Sequence, residues 1–231
     1  MPIQINMPIG GVAKKLKKIC SDVAISIDES SVDLVCLDPS RTTAVAMLNI
    51  GSNIGEQKQC IELDVNDLSK LGAVSLDIDV KQDYVLYARY TTKAGVEVEK
   101  ELVGRQTDVD YGVIYGLLSS GEQSYAVVSG KELRSALEEI EVEQGDEVSI
   151  ILKQGAIEIV NESKVSKKLK AKLKVNASSG EFNVKLPSMV SDAVKILASV
   201  SGELKLSIVE NGILRIDALA AKLSVFISPI A

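Results

Sequence analysis

The chain carries the same alternating pattern twice, and this internal repeat constrains its fold more than any other feature. Val23–Ile27 alternates apolar and polar residues as a half-buried strand does, and Val32–Val35 resumes the pattern after a polar turn. A shift of 125 positions places Val148–Leu152 and Ile157–Val160 on these two segments without a gap. Each copy is therefore expected to contain a β-hairpin in the same register.

An amphipathic helix is predicted upstream of each hairpin. Apolar residues recur there at spacings of four and then three, which places them on one stripe of a helix. These residues are Val12, Leu16 and Ile19 in the first copy, and Leu133, Leu137 and Ile140 in the second. The shift between them is 121 positions, so the first helix-to-hairpin segment is shorter by about one helical turn.

The later part of each copy also matches. Ile61–Val65 aligns with Phe182–Leu186, and each of these strand-like segments leads into a helix, the second with Pro187 near its first turn. Another alternating strand follows in each copy, Leu76–Val80 and Leu204–Ile208, with turns expected at Asp83 and at Asn211-Gly212. Each copy thus contains a helix, strands, a second helix and further strands.

The segment between the copies, Asp108 to Gly121, contains three glycines among Val113, Ile114, Leu117 and Leu118. We interpret it as an extended linker with exposed aliphatic side chains, which would be a liability without a partner. The expected organisation is an N-terminal domain over 1–108, a linker over 109–121 and a C-terminal domain over 122–231.

Composition excludes several classes of protein. The 231 residues include no histidine, which removes the commonest general base and metal ligand. The net charge of −6 argues against a protein that coats nucleic acid, although a local basic patch remains compatible with it. Three cysteines without a C-x-x-C pair make disulfides and zinc sites unexpected, and favour a reducing, intracellular setting. No membrane span or signal peptide is expected.

The segment Leu37-Asp38-Pro39-Ser40-Arg41, which follows the first helix and hairpin, resembles the proliferating cell nuclear antigen family of DNA sliding clamps, especially its archaeal members. The C-terminal segment Val225–Ile230 resembles that family's ending, and the repeat and linker lie where the family has them. The resemblance implies an α+β fold of two similar clamp domains, each with amphipathic helices backed by antiparallel sheet. It also implies that three subunits form a ring.

A clamp of this kind holds duplex DNA without reading its sequence, through lysine and arginine side chains that face phosphates. The first predicted helix fits this requirement, because four lysines interleave with its apolar stripe. The candidate DNA-facing residues are Lys14, Lys15, Lys17, Lys18, Lys70, Lys131, Arg134 and Lys195. A solvated helix face is the alternative reading for any one of them.

Two charge clusters depart from a simple basic surface. Glu138, Glu139, Glu141 and Glu143 accompany the second-domain helix, and their orientation is open: they could face a subunit boundary or a rim. The Lys164 to Lys174 run alternates with apolar residues from Lys168 onwards, as a strand with one lysine face does. Such a strand could guard a sheet edge, attract DNA or meet an acidic neighbouring subunit.

The resemblance also implies an apolar pocket into which partners insert a short peptide. By position its residues are Leu37, Thr42, Ala44, Ile114, Leu117, Ile213, Phe226 and Pro229. Thr42 and Ala44 are smaller than the aliphatic residues expected there, and packing at a domain junction is the alternative role. The implied partners are DNA polymerase, flap nuclease, ligase and a clamp loader, together with further copies of this chain or paralogous subunits.

Two alternatives to a replication clamp stay open. One is a subunit of a mixed or checkpoint-type clamp that acts as an interaction scaffold, and the other is an unrelated α+β enzyme that uses carboxylates. The sequence contains neither a phosphate-binding P-loop nor a G-x-S-x-G nucleophile elbow. Asp77 and Asp79 share a strand face, and Asp108 and Asp110 lie near the linker, but solvated positions explain such pairs more often than a metal site does. We expect no catalytic residues, metal or cofactor. A cytoplasmic, nucleoid-associated archaeal protein is expected, or a nuclear one if the source is eukaryotic.

Overall fold

The computed structural model describes residues 2–5, 9–28, 31–53, 59–71, 76–80, 84–92, 94–107, 111–163 and 169–230. The chain divides into two compact units. Unit 1 comprises Met1–Pro39 and Ala46–Gly112, and unit 2 comprises Ser40–Val45 and Val113–Ala231. The domain boundaries expected at 108 and 121 stay a prediction.

Strands predominate over short helices in the first half of the chain. Its elements are β1 (Pro2–Ile5), α1 (Ile9–Leu16), β2 (Asp22–Ile27), β3 (Val32–Leu37), β4 (Thr43–Asn53), β5 (Gln59–Asp64), α2 (Val65–Ser69), β6 (Leu76–Val80), β7 (Val85–Thr91), β8 (Glu97–Val103) and β9 (Arg105–Gln106). In unit 1 the strands β1-β6-β7-β8 are neighbours in that order, as are β3-β2-β5-β9.

The second half repeats this succession after one additional helix. Its elements are α3 (Gly112–Ser119), β10 (Ser124–Ser129), α4 (Gly130–Glu139), β11 (Glu147–Lys153), β12 (Ala156–Asn161), β13 (Lys170–Lys174), β14 (Ala177–Ser179), β15 (Phe182–Pro187), α5 (Met189–Ala198), β16 (Glu203–Ile208), β17 (Leu214–Ala218) and β18 (Leu223–Ile227). In unit 2 the strands follow the orders β14-β10-β16-β17-β18 and β13-β12-β11-β15.

The predicted repeat of the hairpin is confirmed at the level of residue pairs. Ile25 lies opposite Leu34 in the β2–β3 hairpin, and Ile150 lies opposite Ile159 in the β11–β12 hairpin. The two pairs are related by the same shift of 125 positions in both strands. A strand, a helix and a hairpin therefore open both copies, and the apolar residues of the hairpins are buried.

The alignment of the later strands was wrong by two residues. Ile61 lies opposite Ile25, whereas Val184 and not Phe182 lies opposite the equivalent Ile150. A displacement of two residues leaves every side chain on the same face of a strand, so alternation alone does not detect it. Pro187 also differs from expectation, because it ends β15 and the helix begins at Met189.

The linker was expected to be extended, and this expectation was wrong. Residues 112–119 form the helix α3, in which Ile114 is fully buried and Val113 is 63% exposed. The physical signal was present, because the four aliphatic residues recur in two pairs four positions apart, which is helical spacing. The glycines concealed this signal, because glycine is unfavourable inside a helix. Gly112 and Gly116 lie one turn apart on α3, and both are exposed.

A disulfide joins Cys20 to Cys36, contrary to the expectation from cysteine spacing. Cys20 follows α1 and Cys36 belongs to β3, and both side chains are buried. Their separation of 16 residues matches no local cysteine motif. The β2–β3 hairpin, in which Ala24 lies opposite Val35, brings the segment before β2 close to Cys36. Cys60 is a free thiol, whose pKa is raised by burial and by the neighbouring Glu62 carboxylate.

Asn211 and Gly212 form the turn expected between β16 and β17. Both have positive φ, 59° and 73°, within the short 3-10 segment Glu210–Gly212. Asparagine and glycine are the residues that tolerate this conformation best, so the local sequence determines this turn. Asp83, expected at the corresponding turn of the first copy, lies outside the described residues.

Candidate DNA-binding and partner-binding surfaces

The α1 helix of unit 1 has an apolar face and a basic face, as predicted. Its buried residues include Val12 and Leu16, while Lys14 is exposed and Lys15 half-buried. Lys17 and Lys18 are exposed in the turn that follows the last helical residue, Leu16. Basic side chains at the C-terminal end of a helix interact favourably with the helix dipole. These lysines therefore stabilise α1 whether or not they bind DNA.

Lys70, at the end of α2, has an acidic neighbour. Its Nζ lies 2.7 Å from Oδ1 of Asp67, and both side chains are largely exposed. The Lys70 hydrogen bond lowers the pKa of the Asp67 carboxyl, and the same bond raises the pKa of Lys70. This pairing reduces the positive charge that Lys70 offers to a phosphate.

The α4 helix of unit 2 exposes charges of both signs. Lys131 and Arg134 are exposed as predicted, but Glu138 accepts a hydrogen bond from Nε of Arg134 at 2.9 Å. Glu132 and Glu139 are exposed as well. The exposed surface of α4 therefore carries three carboxylates and two cations, and is less basic than that of α1. On α5, Lys195 is half-buried.

The buried side chain of Asn161 fixes the end of α4, where the acidic cluster begins. Its Nδ2 donates to the carbonyl oxygen of Ile140 at 3.1 Å and to Oδ2 of Asp146 at 2.9 Å. These bonds satisfy a carbonyl group that the end of a helix would otherwise leave without a partner. Glu141 and Glu143 follow this anchor and are exposed.

The alternating lysines predicted as a strand form β13 in the part that the structure describes. Lys170, Lys172 and Lys174 are exposed, and the residues between them are half-buried. In the described part of the chain, β13 pairs with β12 and lies at the edge of its sheet. Lys164, Lys167 and Lys168 lie outside the described residues.

The predicted peptide pocket contains residues of very different exposure. Ile114, Ala44 and Phe226 are buried in unit 2, at 0%, 6% and 2% exposure. Their side chains therefore lie beneath the surface and are not available to a peptide. The more accessible residues are Thr42, Leu117, Ile213 and Pro229 in unit 2, and Leu37 in unit 1. Their role as a peptide pocket stays a prediction.

Arg215 of β17 is a structural residue that the sequence analysis missed. Its Nη1 donates to the carbonyl oxygen of Leu118 at 3.1 Å, and its guanidinium lies 5.8 Å from the centre of the Phe226 ring. Asp217 accepts from Arg215 Nε at 2.8 Å and from Ser224 Oγ. Arg215 thus holds the end of α3 beside two of the predicted pocket residues, Leu117 and Phe226. The only sequence signal is the Arg-x-Asp spacing, which places both residues on one face of a strand.

A cavity of about 680 Å³ lies within unit 2 beside the C-terminal segment. Phe182, Gly212, Pro229 and Ile230 contribute to its walls. The tail is fixed at two points, because Ser228 N donates to Thr42 O and Ile230 N donates to Lys185 O, each at 2.8 Å. Of the predicted pocket residues, Pro229 lines this cavity.

Within the described residues, no group of three or more acidic or cysteine side chains is arranged to hold a metal ion. The backbone of Asp77 and Asp79 belongs to β6 as expected, while Asp108 and Asp110 lie outside the described part of the chain. No helix among the described residues is both long and apolar enough to cross a membrane.

Comparison with solved structures identifies close counterparts of the whole chain. A crystal structure of the PCNA2–PCNA3 complex from Sulfolobus tokodaii matches 99% of this chain and 99% of its own, with a TM-score of 0.78 and 12% identity. Proliferating cellular nuclear antigen from Entamoeba histolytica matches 100% of this chain and 98% of its own, with a TM-score of 0.77 and 13% identity. No family model matches the sequence, and no curated protein matches it significantly. The chain therefore has the α+β fold of the proliferating cell nuclear antigen clamps over its whole length.

Proposed function

We propose that this chain is a DNA sliding clamp, a non-enzymatic ring subunit that encircles duplex DNA and tethers replication and repair enzymes to it. The observation that carries the proposal is the match of the whole chain, in both of its units, to solved clamp structures. A fold alone does not determine function, so the proposal also needs surfaces that suit DNA and partners.

The α1 lysines are the main DNA-facing group. Lys14, Lys17 and Lys18 are exposed, while the opposite side of α1 is anchored in the core of unit 1. Long flexible ammonium side chains attract phosphates without selecting a base, which suits a protein that must move along DNA. Lys70, Arg134 and Lys195 contribute less, because Lys70 and Arg134 have acidic partners and Lys195 is half-buried. Lys131 is exposed but lies on α4 among exposed carboxylates.

The acidic residues of α4 limit the attraction to DNA. Exposed Glu132, Glu138 and Glu139 would repel phosphates that approach this helix. Retention on DNA should therefore depend more on closure of the ring than on affinity. A weakly attracting, closed ring satisfies both needs of a clamp, since it stays on DNA and still slides.

Partner enzymes would dock at the accessible residues of the predicted pocket. Leu117, Ile213 and Pro229 offer partly exposed apolar surface, and Arg215 holds the end of α3 from beneath. A short peptide with aliphatic and aromatic anchors is the ligand of matching chemistry. Polymerase, flap nuclease, ligase and clamp loader are the partners we propose for it.

A mixed ring, in which different subunits occupy the three places, is the second candidate. It is favoured by the Sulfolobus tokodaii structure, which is a complex of two differently named clamp subunits. In both cases the role is to hold other proteins on DNA. The two candidates differ in whether this chain assembles by itself.

Retention on DNA of different topology tests the proposal. The chain is incubated with a nicked circular duplex and separated from free protein by gel filtration, before and after the circle is cut once. We expect the protein to co-elute with the circle, to be lost after linearisation, and to remain when the linear ends are blocked. Co-elution that persists after the circle is cut, with the ends left open, would indicate direct binding to the duplex without encirclement and would contradict a clamp. No co-elution, either alone or with a paralogous subunit and clamp loader, would contradict it as well.

A further inference from the structure

The helix α3 buries one side and exposes the other. Ile114 is fully buried, and Leu118, four residues later on the same side of the helix, is half-buried. On the other side, Val113 is 63% exposed and Gly116 is exposed as well. From Val113 onwards the helix belongs to unit 2. The segment is therefore docked by its apolar side and does not stand free of the domain.

Arg215 shows which part of unit 2 the end of α3 lies on. Its Nη1 donates to the carbonyl oxygen of Leu118 at 3.1 Å, and its guanidinium lies 5.8 Å from the centre of the Phe226 ring. Arg215 and Phe226 lie opposite each other on β17 and β18, so their side chains share one face of that strand pair. The end of α3 therefore lies over this face, in which Phe226 is only 2% exposed.

This face also carries residues of the predicted peptide pocket. Phe226 and Ala44 are pocket residues by position, and both are buried in unit 2. Thr42 and Ala44 are smaller than the aliphatic residues expected there, whereas α3 contributes Ile114, an aliphatic residue with no exposed surface. The chain thus buries an aliphatic side chain of its own in the unit that was expected to receive one from a partner.

The helix α3 has little stability of its own. It has only eight residues, and isolated helices of that length are marginal in water. Gly112 and Gly116 lower its helix propensity. Its last turn, which the structure describes in full, contains no basic residue that could interact with the helix dipole. The folded state of α3 therefore depends on contacts with the rest of unit 2.

Side chains satisfy carbonyl groups at the end of α3. Two serines of the same segment, Ser119 and Ser120, donate to carbonyl groups about one turn earlier. The Leu118 carbonyl instead accepts from Arg215, which brings a positive charge to the negative end of the helix dipole. Asp217 orients this guanidinium by accepting from Arg215 Nε at 2.8 Å. Arg215 is therefore a contact through which β17 holds the end of the helix.

We propose that α3 is an autoinhibitory lid of unit 2, which covers the apolar face around Phe226 and Ala44 until a partner peptide displaces it. In the closed state Ile114 takes the place of the peptide's aliphatic anchor, and Arg215 holds the end of the lid. The peptide first contacts the accessible pocket residues, and release of α3 completes the site. This inference rests on the proposed function, because it specifies how the partner-binding surface of the clamp opens.

A closed lid has a definite consequence for affinity. The apparent affinity of the peptide is the affinity of the open state multiplied by the fraction of chains that are open. A change that stabilises α3 should therefore weaken peptide binding, and a change that loosens α3 should strengthen it. If α3 were instead a fixed part of the docking surface, both effects would be absent or reversed.

Three variants test these signs. Gly116→Ala raises the helix propensity of α3, and a Cβ atom built on Gly116 meets nothing within 4 Å, so the new methyl group disturbs no contact. Gly121→Ala is the matched control, because Gly121 is equally unobstructed but lies beyond the end of α3. Arg215→Lys keeps a positive charge beside Asp217 and loses the planar fork that reaches Asp217 and Leu118 together.

The probe is a fluorescently labelled synthetic peptide with one isoleucine and two phenylalanine anchors, and its affinity for each variant is measured by anisotropy. We expect Gly116→Ala to weaken binding about 5-fold, the factor that corresponds to the preference for alanine over glycine in a helix. Gly121→Ala should leave the affinity unchanged. Arg215→Lys should strengthen binding about 2- to 10-fold through the loss of one hydrogen bond. The amides of α3 should exchange their hydrogens faster when the peptide is bound.

The lid is overturned if Gly116→Ala binds the peptide as tightly as the unaltered chain, if Arg215→Lys weakens binding, or if the α3 amides become more protected with peptide. A peptide that binds no variant, Arg215→Lys included, overturns it as well. Retention on circular DNA is measured for the same variants and should persist, because none of the changes lies on α1. A chain that fails the peptide test but stays on the circle loses the lid and keeps the clamp function. Loss of retention in the unaltered chain contradicts the clamp itself.

Discussion

Gly10 shows at the residue scale how closely the helices of unit 1 approach each other. A Cβ atom built on Gly10 would overlap the carbonyl oxygen of Leu71, just beyond α2, whereas one built on Gly11 meets nothing within 4 Å. The adjacent glycines of α1 therefore have different reasons to be there. Gly10 permits close packing, and Gly11 only lowers the helix propensity.

Gly10→Ala should lower the free energy of unfolding by about 1–3 kcal/mol or more, because backbone must move to admit the methyl group. Gly11→Ala is the matched control, and should leave stability unchanged or raise it by up to about 1 kcal/mol. Chemical denaturation of both variants measures the difference. Equal effects at the two positions would contradict the close approach of α1 to the end of α2.

Tyr111 is a buried phenol in unit 1 whose ionisation the fold opposes. Burial, and then the charge of Glu62, raise its pKa to about 12, above the ordinary value of about 10. The folded state thus holds the phenol proton more tightly than the unfolded state does. The resulting stability is fully present below about pH 10 and is lost as the pH rises to about 12.

Tyr111→Phe should remove this part of the alkaline loss of stability. The measurement is the free energy of unfolding from about pH 9 to 12, together with the absorbance of tyrosinate. Stability near neutral pH should fall by about 1 kcal/mol, because the variant also loses the hydrogen bonds of the hydroxyl with Glu62, at 3.5 Å, and with Thr107. If the free energy of unfolding of the variant falls above pH 10 as steeply as that of the unaltered chain, the raised pKa of Tyr111 is contradicted.

At this scale the sequence predicts burial well and specific contacts poorly. The periodic positions Leu16, Ile25 and Ile150 are buried as expected, because alternation and helical spacing depend only on local geometry. The contacts of Arg215 depend on which elements meet, and a single sequence carries no local signal for that. Cys20 lies just outside the predicted hairpin, so the alternation of residues did not indicate its pairing with Cys36. Ile114 was expected to be exposed and is buried, because its helix was mistaken for an extended linker.

The disulfide is an element-scale feature, since it ties the connection between α1 and β2 to β3. Closing a loop of this length restricts the unfolded chain, which by the chain-entropy model is worth about 3 kcal/mol. Removal of the disulfide should therefore affect stability first.

Reducing agent should lower the unfolding temperature of the chain, and a Cys20→Ala, Cys36→Ala variant should no longer respond to it. Cys60→Ala is the control, because Cys60 is a free thiol and its removal should leave the response to reductant intact. Thermal unfolding with and without reductant provides the comparison. An unfolding temperature that is the same with and without reductant would contradict a stabilising disulfide.

The basic face of α1 leads to a separate prediction about the affinity of the chain for duplex DNA. Lys14→Ala with Lys17→Ala should weaken binding to duplexes of any sequence, and should reduce the slope of log affinity against log salt by about 2. Lys153→Ala with Lys222→Ala is the matched control, since these exposed lysines lie outside the proposed DNA surface. Fluorescence anisotropy over a salt series measures both. Equal slopes in the two variants would remove α1 from the DNA interface.

Among the elements, regular ones were predictable and connections were not. The hairpins β2–β3 and β11–β12 follow from the alternation of apolar and polar residues. The same residue pairs recur in both copies, so each hairpin supports the register predicted for the other. The β5 and β15 strands were found but misaligned by two residues, because period-two patterns are equivalent under that shift. The α3 helix was missed because three glycines in its neighbourhood suggested an extended chain.

At the scale of the whole molecule, the fold follows from duplication, and the proposed function depends on where charge is placed on it. Two copies of one α+β pattern account for the match to solved clamps despite 12% and 13% identity. The α1 lysines and the accessible pocket residues are the surfaces on which the proposed clamp depends.

The solution mass of the purified chain at low ionic strength, with particles of the same sample imaged by negative stain, tests the central claim most directly. We predict a mass three times the chain's 24.7 kDa and a ring with an open centre. A monomer at micromolar concentration, with no ring in the images, would contradict a clamp that this chain builds by itself.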